Sequence, residues 1–276
     1  TPSLLESEDF PFTSRSWRSD DLSTPFKDEV ARGVIMGNLL GKKLQIRSES
    51  RDTVFSRLKK GKIDGRMVAS LGYDNENVFF TKETDQFKKA NLHISIDYSG
   101  SMGGEKIRKA IVSTVAIVKA CEMSRTINTQ VSIRSTENGG RCLPYVALVH
   151  DSRRDSFRQF CDYMGKLQCT NTTPEGLCFE AIMKQMVGST SDMDSYFLNI
   201  SDGEPYFHGK DLSYSGDSAA KHTNKMVKMV ESMGIKVLSY FVADGSYGED
   251  SSSGHTFKKS YGKAASFINV TNVNEV

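Results

Sequence analysis

The chain has 276 residues, of which 38% are hydrophobic and 25% charged, a balance that suits one large globular domain plus an extension. Its 36 basic and 34 acidic side chains leave a net charge of +2, so no electrostatic pull toward nucleic acid or an anionic membrane is expected. No apolar run is as long as a membrane span and no signal-peptide pattern opens the chain, which predicts a cytoplasmic protein; the first residue is Thr1 rather than Met, as a fragment would have it. Residues 1–24 are polar and rich in Ser, with Pro2, Pro11 and a charged run at 15–21, and read as an irregular arm. Pro25 opens a helix with Thr24 as its cap, and Val30, Ile35, Leu39 and Leu40 carry helical spacing to about residue 43. Residues 55–69 read as short helix and turn, and 78–80 as a short strand. The basic cluster Arg57, Lys59, Lys60, Lys62 and Arg66 reads as a solvated face.

From residue 91 strands and helices alternate. Leu92, Ile94 and Ile96 mark a strand that ends in a glycine-rich turn. Ile107, Ala110, Ile111, Thr114, Val115, Ile117, Val118 and Cys121 then make a broad apolar helical face. Strands are expected near 131–133 and 145–149, and helices at about 154–166 and 174–187. A buried strand at 196–200 ends in Ser201-Asp-Gly; a helix at 217–233 precedes a strand at 236–242, and a helix near 255–263 precedes a strand at 265–270. This alternation predicts an α/β fold with a doubly wound, mostly parallel sheet and helices on both faces. It occupies residues 88–276, after an N-terminal arm and helical extension over 1–87. Ligands of such folds bind at the carboxyl ends of the strands.

Three segments at such ends carry chemistry. Asp97-Tyr-Ser-Gly-Ser101 sets Asp97, Ser99 and Ser101 at alternate positions, with Gly100, Gly103 and Gly104 to turn the backbone. Carboxylate and hydroxyl oxygens suit a hard divalent cation such as Mg2+ or Mn2+, and neutral hydroxyl ligands leave that cation electrophilic enough to take one more carboxylate. The second segment is the loop 170–176, where Thr170, Thr172 and Thr173 precede Pro174 at the start of a helix; the third is Asp202, after the strand at 196–200. Singly each is a common turn; the order and the strand-end contexts make the set specific.

With these residues the sequence resembles the von Willebrand factor A family at its metal-ion-dependent adhesion site, whose pattern is Asp-x-Ser-x-Ser, then a Thr from a later loop, then an Asp. The matching positions are Asp97, Ser99 and Ser101, then Thr172 or Thr173, then Asp202. The resemblance implies that the Ser hydroxyls and the Thr bind the ion directly, that the Asp residues act through water, and that an acidic side chain of a partner completes the shell. Ile200-Ser-Asp-Gly-Glu-Pro, the turn Ile63-Asp-Gly-Arg-Met and the segment 257–273 are also similar to the T subunit of aerobic cobaltochelatase, although the acidic linker of that family is absent. That resemblance implies a non-catalytic adaptor. It would work with a separate AAA+ ATPase ring subunit, and with a large chelatase subunit in cobalamin biosynthesis; the alternative is a stand-alone adhesion or scaffold module. The run 100–106 lacks phosphate-loop spacing, so an ATPase must be another chain.

A serine hydrolase is the rival from another class. Ser99-Gly-Ser-Met-Gly is one residue from a Gly-x-Ser-x-Gly elbow centred on Ser101, and Asp202 and His255 follow in order, but that reading leaves Asp97 and the Thr loop unexplained. The histidines His93, His150, His208, His222 and His255 show no ligand spacing. The five cysteines, Cys121, Cys142, Cys161, Cys169 and Cys178, have no zinc-knuckle spacing and read as reduced thiols.

Overall fold

A computed structural model describes residues 3–5, 25–48, 51–73, 75–85, 89–136, 143–167, 169, 171–186, 188–203, 205–208, 213–243 and 251–269. Thr24, Cys142, Thr170, Glu204 and most of the arm lie outside these residues. The described residues of the arm are not irregular: β1 (Ser3–Leu5) pairs in parallel with β7 (Pro144–Asp151).

The extension begins with α1 (Lys27–Ser48), which carries Asp28 and Glu29 in its first turn, where the helix dipole favours acid. Over residues 55–63 the chain is strand rather than helix, part of a small antiparallel sheet of β2 (Arg51–Leu58), β3 (Lys62–Ile63) and β4 (Phe79–Asp85); the expected turn and short helix come only at 65–67 and in a 3-10 turn at Val68–Tyr73. Val54 and Phe55 favour the pleat, and Gly61 at φ +137° breaks any helical path there. The cluster Arg57, Lys59, Lys60, Lys62 and Arg66 is exposed, as a solvated face should be.

The main sheet is built from β5 (Lys89–Asp97), β6 (Ile127–Thr136), β8 (Met193–Ser201), β11 (Lys236–Ala243) and β12 (Ala265–Asn269), with β7 and β1 on one side; β9 (Phe207–His208) and β10 (Ser213–Tyr214) form a separate antiparallel ribbon between β8 and β11 in the chain. The order is β1-β7-β6-β5-β8-β11-β12, and every neighbouring pair is parallel except β6 with β7. Helices cover both faces, so this is an α/β fold with a largely parallel sheet. On one side α2 (Glu105–Ser124) and α3 (Phe157–Lys166), with Phe26, Val30 and Val34 of the α1 segment, pack on Ile94, Ile96, Leu198 and Ile200. On the other, α4 (Glu175–Ile182), α5 (Gly216–Ser232) and α6 (Ser252–Tyr261) pack on Phe197, Val237 and Phe241.

The extension is held by backbone-to-backbone closeness. A Cβ on Gly33 would stand 2.7 Å from the Val115 Cβ and 2.9 Å from the Val112 carbonyl, and one on Gly37 would stand 2.8 Å from the Ala116 carbonyl. Small residues one turn apart let α1 lie directly on α2.

The chain leaves β5 through α2 to β6 on one side and later returns to β8 on the other side of β5. This reversal of strand order opens a crevice at the carboxyl ends of β5 and β8, the place where such sheets bind ligands. No helix among the described residues is long and apolar enough to cross a membrane.

Candidate functional site

Asp97 ends β5 and is fully buried. Its Oδ1 accepts the Ser99 backbone N–H at 2.9 Å, the Thr173 hydroxyl donates to Oδ1 and Oδ2 at 3.2 and 3.0 Å, and the Ser201 hydroxyl donates to Oδ2 at 3.0 Å. Three donors make four contacts to this one carboxylate and leave it as the organiser of three loops.

In front of Asp97 the chain turns through a 3-10 segment, Gly100–Met102. The Ser99 and Ser101 hydroxyls lie 3.0 Å apart, and Ser101 Oγ donates to Asp202 Oδ1 at 2.9 Å. The Gly100 N–H donates to the Asn171 carbonyl at 2.9 Å, which ties this turn to the Thr loop. Asn171 adopts φ +60°, a left-handed conformation that Asn tolerates better than most residues, and its Nδ2 donates to the Thr136 carbonyl at 2.7 Å. The structure separates the two threonines. Thr173 is buried on Asp97, whereas the Thr172 hydroxyl turns to that of Thr136 at 3.2 Å. Tyr98 and Met102 are buried in the core beneath the turn, so their role is packing.

Asp202 follows β8. Burial, then the neighbouring Asp97 charge, holds its carboxyl above the ordinary range, while hydrogen bonds from Lys106 and Ser101 and the Lys106 charge pull it back. Two carboxylates crowded in this way call for a cation. The cation in place is the Lys106 ammonium, which donates to Asp202 Oδ2 at 2.7 Å and to the Ser101 carbonyl at 3.2 Å. The whole cluster opens into a cleft of about 370 Å³, rimmed by exposed Tyr206, which the Tyr206 N–H to Thr173 carbonyl bond of 3.0 Å fixes in place.

Behind the site lies a buried ion pair. Arg134 and Glu175 are both fully inaccessible; Arg134 Nη2 donates to Glu175 Oε1 at 2.7 Å and Nη1 to Ser95 Oγ at 2.9 Å. Asn199 Nδ2 donates to Glu175 Oε1 at 3.3 Å and to the Tyr261 hydroxyl at 2.8 Å. Burial raises the Glu175 carboxyl and Arg134 opposes it; burial disfavours the Arg134 charge, but Glu175 and then Asp97 outweigh it. This pair ties β6 to the first residue of α4, the helix that carries Thr173 at its entrance.

Asp97, Ser99, Ser101, Thr173 and Asp202 are therefore brought together, and Thr172 stands one residue aside. Sequence reasoning missed Ser201, Lys106, Asn171 and the Arg134–Glu175 pair. Lys106 had a signal: it sits in the first turn of α2, where the helix dipole disfavours a cation, so a local acidic use was implied. Arg134 had one too, since an Arg directly after the apolar run Val131-Ser-Ile133 in the same strand must be paired if the strand is buried.

Among the described residues no catalytic triad assembles around Ser101. The described partners of its hydroxyl are Ser99 and Asp202, and His255 is exposed near the start of α6. Among the described residues no three His, Cys, Asp or Glu side chains gather. The four described cysteines are free thiols. Burial, then the charges of Asp97 and Asp202, pushes the Cys169 thiol up to about 12.

No protein-family model and no curated protein matches this sequence. Among solved structures the fold is similar to the open conformation of the pilus adhesin SpaC from Lactobacillus rhamnosus GG, at a TM-score of 0.51 and 11% identity, over 67% of this chain and 28% of that one. A second crystal structure of the same adhesin gives a TM-score of 0.48 at 11% identity, over 67% of this chain and 29% of the other. The chain thus spans less than a third of the adhesin, and at this identity the likeness is one of fold alone.

Proposed function

We propose that this chain is a protein-interaction module of the von Willebrand factor A type, which docks on an acidic side chain of a partner through one Mg2+ or Mn2+ ion. One observation carries the reading. Hydroxyls of Ser99, Ser101 and Thr173 and the carboxylates of Asp97 and Asp202 converge from three loops at the strand-order reversal, and a cation, the Lys106 ammonium, already stands among them. The residues fit a hard ion by their chemistry: oxygen donors only, two carboxylates, and a donor-saturated Asp97 behind.

Ser99, Ser101 and Thr173 would hold the ion directly, with Asp97 and Asp202 acting through water. The ion supplies an electrophilic position for a partner carboxylate. Thr173 and Ser99 stay aimed because Asp97 holds the Thr173 hydroxyl and the backbone of Ser99. The resemblance to the cobaltochelatase T subunit supports an AAA+ ring subunit as the source of that carboxylate and a non-catalytic adaptor role in a chelatase-like complex.

Metal-dependent thermal stabilisation tests this. Ion at 100 times its Kd adds about 2.7 kcal/mol of stability, or roughly 5–10 °C of Tm for a domain of this size. We expect that increment with Mn2+, its reversal by EDTA, and its loss in Asp97→Ala and in the milder, exposed-site variant Ser101→Ala. The increment is the readout, because Asp97→Ala also removes buried hydrogen bonds and lowers the baseline. An equal increment in wild type and both variants would sink the proposal.

A further inference from the structure

We propose that Lys106 is a built-in competitor for the divalent ion: its ammonium holds the cation's electrostatic place at Asp202, so that the ion binds only by displacing or overcoming it. This rests on the metal-dependent docking read above and adds what sets its threshold. Lys106 is the second residue of α2, where the dipole disfavours positive charge, yet its side chain is only 17% exposed and is turned into the cleft. Both of its hydrogen bonds go to site groups, Asp202 Oδ2 and the Ser101 carbonyl, which come from different loops. It does not serve the neighbouring helix surface, where Arg108 takes Glu29 and reaches Glu105.

The surroundings explain why a tethered cation is there. Asp202 lines the cleft within the electrostatic reach of buried Asp97, and the fully buried Arg134 behind them is engaged by Glu175. Without an ion, Lys106 offsets the negative charge and keeps the Ser101 turn docked on Asp202. When an ion arrives, the same ammonium has already neutralised one carboxylate and repels the incoming charge. Lys106 thus lowers metal affinity while stabilising the metal-free fold, so that partner docking follows the free divalent-ion concentration over a higher range.

Calorimetric titration with Mn2+ alone on the whole chain tests this, using wild type, Lys106→Met, Lys106→Gln, Lys106→Arg and Asp97→Ala. Lys106→Gln keeps a hydrogen-bond donor for Asp202 without the charge, and so guards against a packing defect in Lys106→Met. Removing the charge is expected to tighten Mn2+ binding by about tenfold or more in both neutral variants. Lys106→Arg should stay near wild type, and Asp97→Ala should not bind. Unchanged or weaker binding in both neutral variants, with wild type binding and Asp97→Ala silent, overturns the role of Lys106 and leaves the docking site standing. No Mn2+ binding by wild type or either neutral variant overturns the docking site and this inference together.

Discussion

Arg134→Met removes one partner of an ion pair in which neither side chain has any solvent exposure. Glu175 is then left with the Asn199 amide at 3.3 Å and with Tyr261 beside it, and with no counter-charge in contact. A carboxylate cannot stay ionised there, so it takes a proton. At about 1.36 kcal/mol per unit, protonating a carboxyl of ordinary pKa, about 4.3, at pH 7 costs roughly 3–4 kcal/mol. That agrees with the ~3–5 kcal/mol seen when one member of a buried pair is deleted. The proton cost shrinks to about 1 kcal/mol at pH 5, while losses from the Ser95 bond and the stacking of the guanidinium 5.3 Å over Phe179 do not depend on pH. Guanidinium unfolding of wild type and Arg134→Met at both pH values is the assay, each variant read against wild type at the same pH. The deficit should fall between pH 7 and pH 5 by at most about 2–3 kcal/mol, since burial already raises the wild-type Glu175 carboxyl and wild type shares part of the pH dependence, and adding Glu175→Gln should restore most of it at pH 7. A deficit that is the same at both pH values, or no recovery in the double variant, would refute the reasoning.

Two further predictions concern the support of the site. Burial pushes the His93 imidazole down to about 4, so the folded state takes up its proton later than the unfolded chain. Its stabilising effect is whole above the ordinary His pKa of about 6.5 and is lost as pH falls toward 4, by about 3 kcal/mol in all. Buried, raised Glu175 acts in the opposite sense, so the test is the difference between wild type and His93→Gln: the variant should lose less stability from pH 7 to pH 4, and parallel curves would remove His93 as a cause. Gly37→Ala gains up to about 1 kcal/mol of helix propensity but drives a Cβ against the Ala116 carbonyl. Displacing α1 from α2 should outweigh that gain, for a net loss of roughly 1–3 kcal/mol in urea unfolding. A stabilised Gly37→Ala would show that α1 does not need its close approach.

The sequence by itself determined the alternation of strands and helices, and with it the crevice at the strand ends. Those features are local: periodicity of apolar residues, and oxygen ligands spaced two apart at the end of one strand, both written in consecutive residues. It misjudged residues 55–63, because strong helix formers such as Leu58, Lys59 and Lys60 read as helix when the pairing of Lys62 and Ile63 with Phe80 and Phe79 is not in view. It also left Ser95 of β5 without a role. Ser95 alternates with Ile94 and Ile96 as if it faced water, yet it is fully buried beneath the second layer of helices, where it meets Arg134. Which threonine sits on Asp97, that Lys106 occupies the charge at Asp202, and that Arg134 and Glu175 pair behind them were decided by tertiary structure alone. The partners are 76, 96 and 41 residues apart, and strand register and helix placement, which no local pattern encodes, bring them within hydrogen-bond reach.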